Sequence, residues 1–112
     1  MKKIEAVVRP DKLDSVCGIL QKTGYPGLMI TKIEGHGKQK NLVQQWRDKE
    51  YRAGFLPKIK IEVVVKDRDL DKTVRAIREA AYTGEMGDGK IFISTIDDVV
   101  RVRTAEYGDI AV

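Results

Sequence analysis

Ile59, Ile61, Val63 and Val65 alternate strictly with Lys60, Glu62, Val64 and Lys66, the clearest period of two in the chain. Such a pattern is a strand with one apolar face to bury. Two amphipathic helices are available to cover it. Pro10-Asp11 opens the first, whose apolar face is Leu13, Val16, Cys17 and Leu20 and which ends near Gly24. Leu70, Val74, Ile77 and Ala81 mark the second, which ends in a turn over Gly84–Gly89. Lys2–Arg9, Leu28–Glu34 (closed by Gly35 and Gly37) and Ile91–Ile96 read as further strands, and Val99–Arg103 as a short extended piece before a polar tail. The order is β-α-β-β-α-β. It predicts an α+β, ferredoxin-like sandwich with both helices on one face of an antiparallel sheet.

A chain of 112 residues supports one core, so residues 1–112 are expected to form a single domain. One feature departs from the plain arrangement. A tight hairpin should join the second and third strands, yet residues 36–57 show no sustained period, far beyond the usual ~2–5 residues. Trp46 and Tyr51 within this stretch favour a functional arm over filler. The open face of the sheet, which receives Val64, is half-apolar and suggests association through the sheet.

Composition narrows the chemistry. With one cysteine no intramolecular disulfide forms, and Cys17 reads as a small core hydrophobe. The lone His36 cannot found a metal cluster, nor a triad with Ser15 or Ser94. Asp97 and Asp98 are adjacent on a turn, where solvation explains them. A binding protein is expected rather than an enzyme. No apolar stretch approaches the ~20 residues of a membrane span, and no signal-peptide core follows Lys2 and Lys3, so a cytoplasmic protein is expected. Lys38, Lys40, Arg47, Lys49, Arg52, Lys58 and Lys60 face only Asp48 and Glu50 across the loop. This is a solvated surface or a site for small anions or an acidic partner. Nucleic acid is disfavoured, because aromatic residues are only 6% and no stacking run is present.

Two motifs suit phosphate. Gly84-Glu85-Met86-Gly87-Asp88-Gly89-Lys90 lets backbone N–H groups turn toward an oxyanion beside a lysine, although Asp-Gly also builds ordinary turns. It lacks the spacing of a Walker motif. Arg101 and Arg103, two apart on an extended segment, would point the same way with ~7 Å between them, which suits a polyphosphate or merely guards a strand edge.

Residues 83–93, TGEMGDGKIFI, resemble the C-terminal signature of the P-II nitrogen-regulatory signal-transduction family. MKKIEAVVRPDKLD at the start, FLPKIKIEVVV at 55–65 and VVRVRT at 99–104 fit the same pattern in register, so the resemblance spans the chain. It implies a homotrimer that binds ATP or ADP, with Mg²⁺ and 2-oxoglutarate, in clefts between subunits. Gly87, Asp88, Gly89 and Lys90 would hold phosphates from one side, and Arg101 and Arg103 from the neighbouring subunit. Gly37, Lys38 and Gln39 would close over the nucleotide, with Met29, Glu62 and Val64 in its wall. Gln39 would help hold Mg²⁺, and Gln39, Lys40, Asn41, Lys58 and Gly87 would surround 2-oxoglutarate. Arg47 corresponds to the loop arginine that enters an ammonium-transporter pore. Tyr51 sits where enterobacterial relatives are uridylylated. The implied partners are an ammonium transporter, glutamine synthetase or another nitrogen-metabolism protein, with the membrane met only through a transporter. Trp46-Arg47-Asp48-Lys49-Glu50-Tyr51 departs from the usual loop signature, Met29 replaces a common threonine, and Asn41 replaces a common glycine. A metal-tolerance-type trimer, an RNA-binding module and an acyl-phosphate hydrolase share the element order. Their metal ligands, aromatic strand motif and N-terminal phosphate loop, respectively, are not apparent.

Overall fold

In a computed structural model that describes residues 1–36 and 55–112, four strands and two helices follow the expected order. Strands β1 (Lys2–Val8), β2 (Met29–His36), β3 (Phe55–Val65) and β4 (Lys90–Thr95) form one antiparallel sheet in the order β2-β3-β1-β4. Helix α1 spans Leu13–Lys22 and α2 spans Leu70–Ala81. Each begins without a side-chain cap. Each is instead entered through a single 3₁₀ turn, Pro10–Lys12 or Asp67–Asp69, whose aspartates favour the positive end of a helix.

Alternation places Ile4, Ala6 and Val8 of β1 and Ile59, Ile61, Val63 and Val65 of β3 on one face, all buried. The register sets Ile4 against Val63, Ala6 against Ile61 and Val8 against Ile59. Val16 and Leu20 of α1 and Ile77 and Ala81 of α2 close over them into one cluster, with Leu13, Leu70 and Val74 packed at its margin. Thr73 is fully buried, which its polar side chain did not announce. Its hydroxyl donates to the carbonyl of Asp69 at 2.7 Å, so it enters the core without an unpaired group. Cys17 is half-buried, and burial, then the nearby Asp14 charge, pushes its thiol up from its ordinary value.

Strand ends shift by one residue at several places, as at β4, and three boundaries differ by two residues or more from the sequence reading. Strand β2 runs through Gly35 to His36, and β3 starts at Phe55, so the ladder continues His36↔Phe55, Gly35↔Leu56 and Glu34↔Pro57. The roots of the long segment are therefore sheet. Beyond Ile59 only β2 lies beside β3, a half-edge setting in which Pro57 is tolerated. The expected extended piece Val99–Arg103 is broken after Arg101. Val100 bridges Tyr107, the Ala105 N–H donates to the Arg101 carbonyl at 2.8 Å, and Ala105 itself sits at φ 61°. Arg101 and Arg103 thus stand on a turn, not at two positions of a strand.

The open face carries charged pairs beside its apolar residues. Lys3 pairs with Glu5 at 2.9 Å and with Glu62 at 3.5 Å, and Lys60 with Glu62 at 3.4 Å. Met29 and Phe92 flank this group and are 55% and 54% exposed.

Ile77→Ala is expected to cost about 2–5 kcal/mol in urea unfolding, because a fully buried side chain leaves a cavity under the sheet. Ala105→Gly should instead raise the midpoint slightly, since a left-handed non-glycine residue is strained by about 1–2 kcal/mol.

Candidate functional site

The turn between α2 and β4 is organised from within by Asp88. Its carboxylate accepts hydrogen bonds from the Thr83 hydroxyl, from the Thr83 N–H at 2.9 Å and from the Gly84 N–H at 2.9 Å. Arg9, at the end of β1, donates through Nε to the same carboxylate at 3.1 Å and through Nη2 to the Met86 carbonyl at 2.8 Å. Burial alone would raise the Asp88 pKa. The Thr83 and Gly84 donors, with Arg9, outweigh it and hold the carboxyl well below its usual range.

Glycine is required at the exit of this turn. Gly87 and Gly89 have φ of 100° and 97°, and a Cβ on Gly89 would lie 1.7 Å from the Val7 carbonyl oxygen. The turn is therefore pressed against the end of β1, beside Arg9. Beside Arg9, Lys58 of β3 donates through Nζ to the Gly87 carbonyl at 2.6 Å. Burial, then the Arg9 charge, lowers the Lys58 pKa, and Asp88 opposes them.

These contacts have a directional consequence. In a planar trans peptide the carbonyl and the following N–H point in opposite directions. Arg9 on the Met86 carbonyl and Lys58 on the Gly87 carbonyl therefore turn the Gly87 and Asp88 N–H groups away from the cations. Neither N–H donates to another described residue. Two successive amides without a partner among the described residues, one from a glycine at positive φ, are donors of the kind that bind an anion. The aspartate itself faces inward, so what Asp88 offers a ligand is its backbone N–H. Lys90 is exposed at the start of β4, on the rim of a groove of about 450 Å³ that runs past Val74, Arg78 and Tyr82.

The other expected residues divide into groups. Lys58 and Gly87 touch. Met29 and Glu62 are cross-strand neighbours, and Glu62, Val64 and Lys58 share the sheet face opposite the helices. Arg101 and Arg103 are not brought to the turn: they follow the far end of β4, about 17 Å along that strand. Arg101 instead pairs with Glu106 at 2.6 Å and donates to the Ile110 carbonyl at 2.8 Å. Gly37, Lys38, Gln39, Lys40, Asn41, Trp46, Arg47 and Tyr51 lie outside the described residues. Arg9 and Thr83 went unnoticed in sequence. Thr83 precedes Asp88 by five positions within one glycine-rich turn, a readable hint, whereas Arg9 is 79 residues from its partner. Among the described residues no group of three or more His, Cys, Asp or Glu could hold a metal ion.

Because the folded Asp88 has a depressed pKa, it adds stability above the ordinary carboxyl value near 3.8 and loses it as pH falls through the lower folded value. Asp88→Asn should therefore lower the urea midpoint near neutral pH and reduce the loss of stability below about pH 4. Gly89→Ala should disrupt the turn more severely, through its clash with Val7.

Comparison with known proteins shows the family. The family model described as "Nitrogen regulatory protein P-II" matches residues 1–106. A Nitrogen regulatory protein P-II of Mesorhizobium japonicum is 51% identical over 108 residues, 96% of each chain. One from Rhizobium meliloti is 48% identical over the same span, again 96% of each chain. Nitrogen regulatory protein P-II 2 of Methanothermobacter thermautotrophicus is 47% identical over all 112 residues and 97% of its own length. The family match over residues 1–106 and the similarity along nearly the whole chain show that the chain belongs to the P-II family of nitrogen regulatory signalling proteins.

Proposed function

We propose that this protein reports nitrogen, carbon and energy status by binding ATP or ADP together with 2-oxoglutarate, and passes that state to a target through residues 36–57. The observation that carries this reading is the pair of outward N–H groups at Gly87 and Asp88, held from behind by Arg9 and Lys58. A phosphate placed there meets amide donors with two cations behind them, and Lys90 beside them adds a mobile charge.

A homotrimer completes the site. Arg101 and Arg103 leave the sheet at the end remote from the turn, so in this reading they serve the turn of a neighbouring copy. The exposed apolar residues support the same assembly. Ile30 on edge strand β2, Ile93 on edge strand β4 and Val102, Tyr107 and Ile110 after it are half to fully exposed. Met29, Glu62 and Val64 would then wall the nucleotide, with Gly37, Lys38 and Gln39 closing over it.

Mg²⁺ would bridge the phosphates, the keto acid and the Gln39 side chain through hard oxygen contacts. Lys58, already beside Gly87, would meet a 2-oxoglutarate carboxylate alongside Gln39, Lys40 and Asn41. The targets in this reading are an ammonium transporter, glutamine synthetase or another nitrogen-metabolism protein, met through Arg47, with Tyr51 as a modification site. The protein acts in the cytoplasm, and among the described residues no helix is long and apolar enough to cross a membrane.

Calorimetry tests the reading. 2-Oxoglutarate should bind measurably only with ATP and Mg²⁺ present, and ADP should not substitute; strong binding to the nucleotide-free protein would refute the mechanism. Lys58→Ala should abolish the 2-oxoglutarate signal. It should weaken ATP by no more than about tenfold, the worth of one hydrogen bond behind the turn. Light scattering should give three times the 12.6 kDa chain mass, and a monomer at micromolar concentration would remove the shared site.

A further inference from the structure

The segment after β4 is built around a contact that a phosphate-binding arginine does not need. Arg101 Nη1 donates to Glu106 Oε1 at 2.6 Å, and Arg101 Nη2 donates to the Ile110 carbonyl at 2.8 Å. Both terminal nitrogens of the guanidinium are therefore engaged inside the chain. The same Oε1 accepts from the Thr104 hydroxyl at 2.6 Å, which holds the carboxylate in place. The backbone serves the same end: the Arg101 N–H donates to the Glu106 carbonyl at 2.9 Å, and the Ala105 N–H to the Arg101 carbonyl at 2.8 Å. Closing this turn requires Ala105 at φ 61°, a conformation that an alanine adopts at a cost. Strain accepted by a non-glycine residue, with the product that an acid lands on an arginine, points to a role for that pairing.

We infer that Glu106 is an internal anion that occupies Arg101 and sets the affinity with which polyphosphates engage it. The inference rests on the reading above, in which Arg101 meets the phosphates of a nucleotide. Glu106 holds Nη1 and the Ile110 carbonyl holds Nη2, so a phosphate that grips Arg101 through both terminal nitrogens competes with both partners. To take Arg101 fully, a phosphate must displace Glu106 and release the Ile110 carbonyl, which loosens the 3₁₀ turn Gly108–Ala111. Even a partial approach brings phosphate and carboxylate charges together. Both effects have one sign: Glu106 opposes ligands that carry phosphate and is indifferent to those that do not.

The experiment compares the full-length wild type with Glu106→Gln by calorimetry, using ATP, inorganic tripolyphosphate and adenosine. Glu106→Gln should bind ATP and tripolyphosphate about two- to fivefold more tightly, the range open to a half-exposed ion pair, and adenosine equally. In an Arg101→Met background the same substitution should give no gain, which places the effect on that arginine. Should Glu106→Gln fail to fold, Glu106→Asp, which keeps the charge but shortens the reach, should show a smaller gain in the same two ligands. Unchanged or weaker ATP binding by the folded variant would overturn the inference alone, as would an equal change with adenosine. Failure of the wild type to bind either ATP or tripolyphosphate would overturn the nucleotide reading and this inference with it.

Discussion

Asp88 is tied to Thr83 and Gly84 on its own turn and, through Arg9, to the end of β1, so one carboxylate joins α2, β1 and β4 where they meet. Without it the Thr83 and Gly84 amides would lose their partners, and Arg9 would lose the anchor that brings it to the Met86 carbonyl. The direction of the exposed N–H groups would then be unset. An acid at the heart of the proposed anion site is at first unexpected. It is workable because its charge is spent on four donors that face away from the ligand, leaving the outward side amide and cation. Gly89 supplies the remaining constraint, since only a residue without Cβ lets the turn rest on the Val7 carbonyl.

Much of this fold was legible because alternation and helical period survive wherever one face is buried. β1 and β3, central in the sheet, read clearly, and both helices were found from their apolar stripes. The failures are equally physical. Thr73 is polar by composition and buried by virtue of a bond to its own helix. Phe55, Leu56 and Pro57 pair only with β2, so burial did not impress an even period on them. Arg101 and Arg103 read as extended because nothing in the residue name Ala105 signals a left-handed backbone. At the site, glycine at Gly87 and Gly89 was informative because few other residues meet the demand, whereas Arg9 carried no local signal at all.

The charged open face shows how a sheet can be made ready for cover. Glu5 and Glu62 stand directly opposite each other, an arrangement that is unfavourable alone. Lys3 lies between them and Lys60 beside Glu62, so the four side chains balance. The hydrogen bond from Lys3, aided by its charge, holds the Glu5 carboxyl below its ordinary value, and the same contact raises Lys3. In the proposed homotrimer, a neutral, internally paired group could be approached by Met29, Val64 or Phe92 of another copy without stranding a charge, the apolar residues around it supplying attraction and the pairs register.

Lys58 ties the two halves of the proposed mechanism together. It stands on β3, just past the root of the long segment, and its ammonium already holds the Gly87 carbonyl. An ammonium has three donors, so a ligand carboxylate can be added or can compete for position. Either way the peptide between Gly87 and Asp88 feels it, because that carbonyl decides where the Asp88 N–H points. Burial and Arg9 depress the Lys58 pKa, and an added carboxylate would counter both. On the proposed reading, a carboxylate ligand and a phosphate ligand therefore adjust the same peptide from opposite sides, one through its carbonyl and one through its N–H. Such coupling is reciprocal: whatever 2-oxoglutarate does to ATP affinity, ATP must do to 2-oxoglutarate. In that reading Lys58 directly follows residues 36–57 in sequence, so a change at this peptide has a short path into the segment proposed to meet the target.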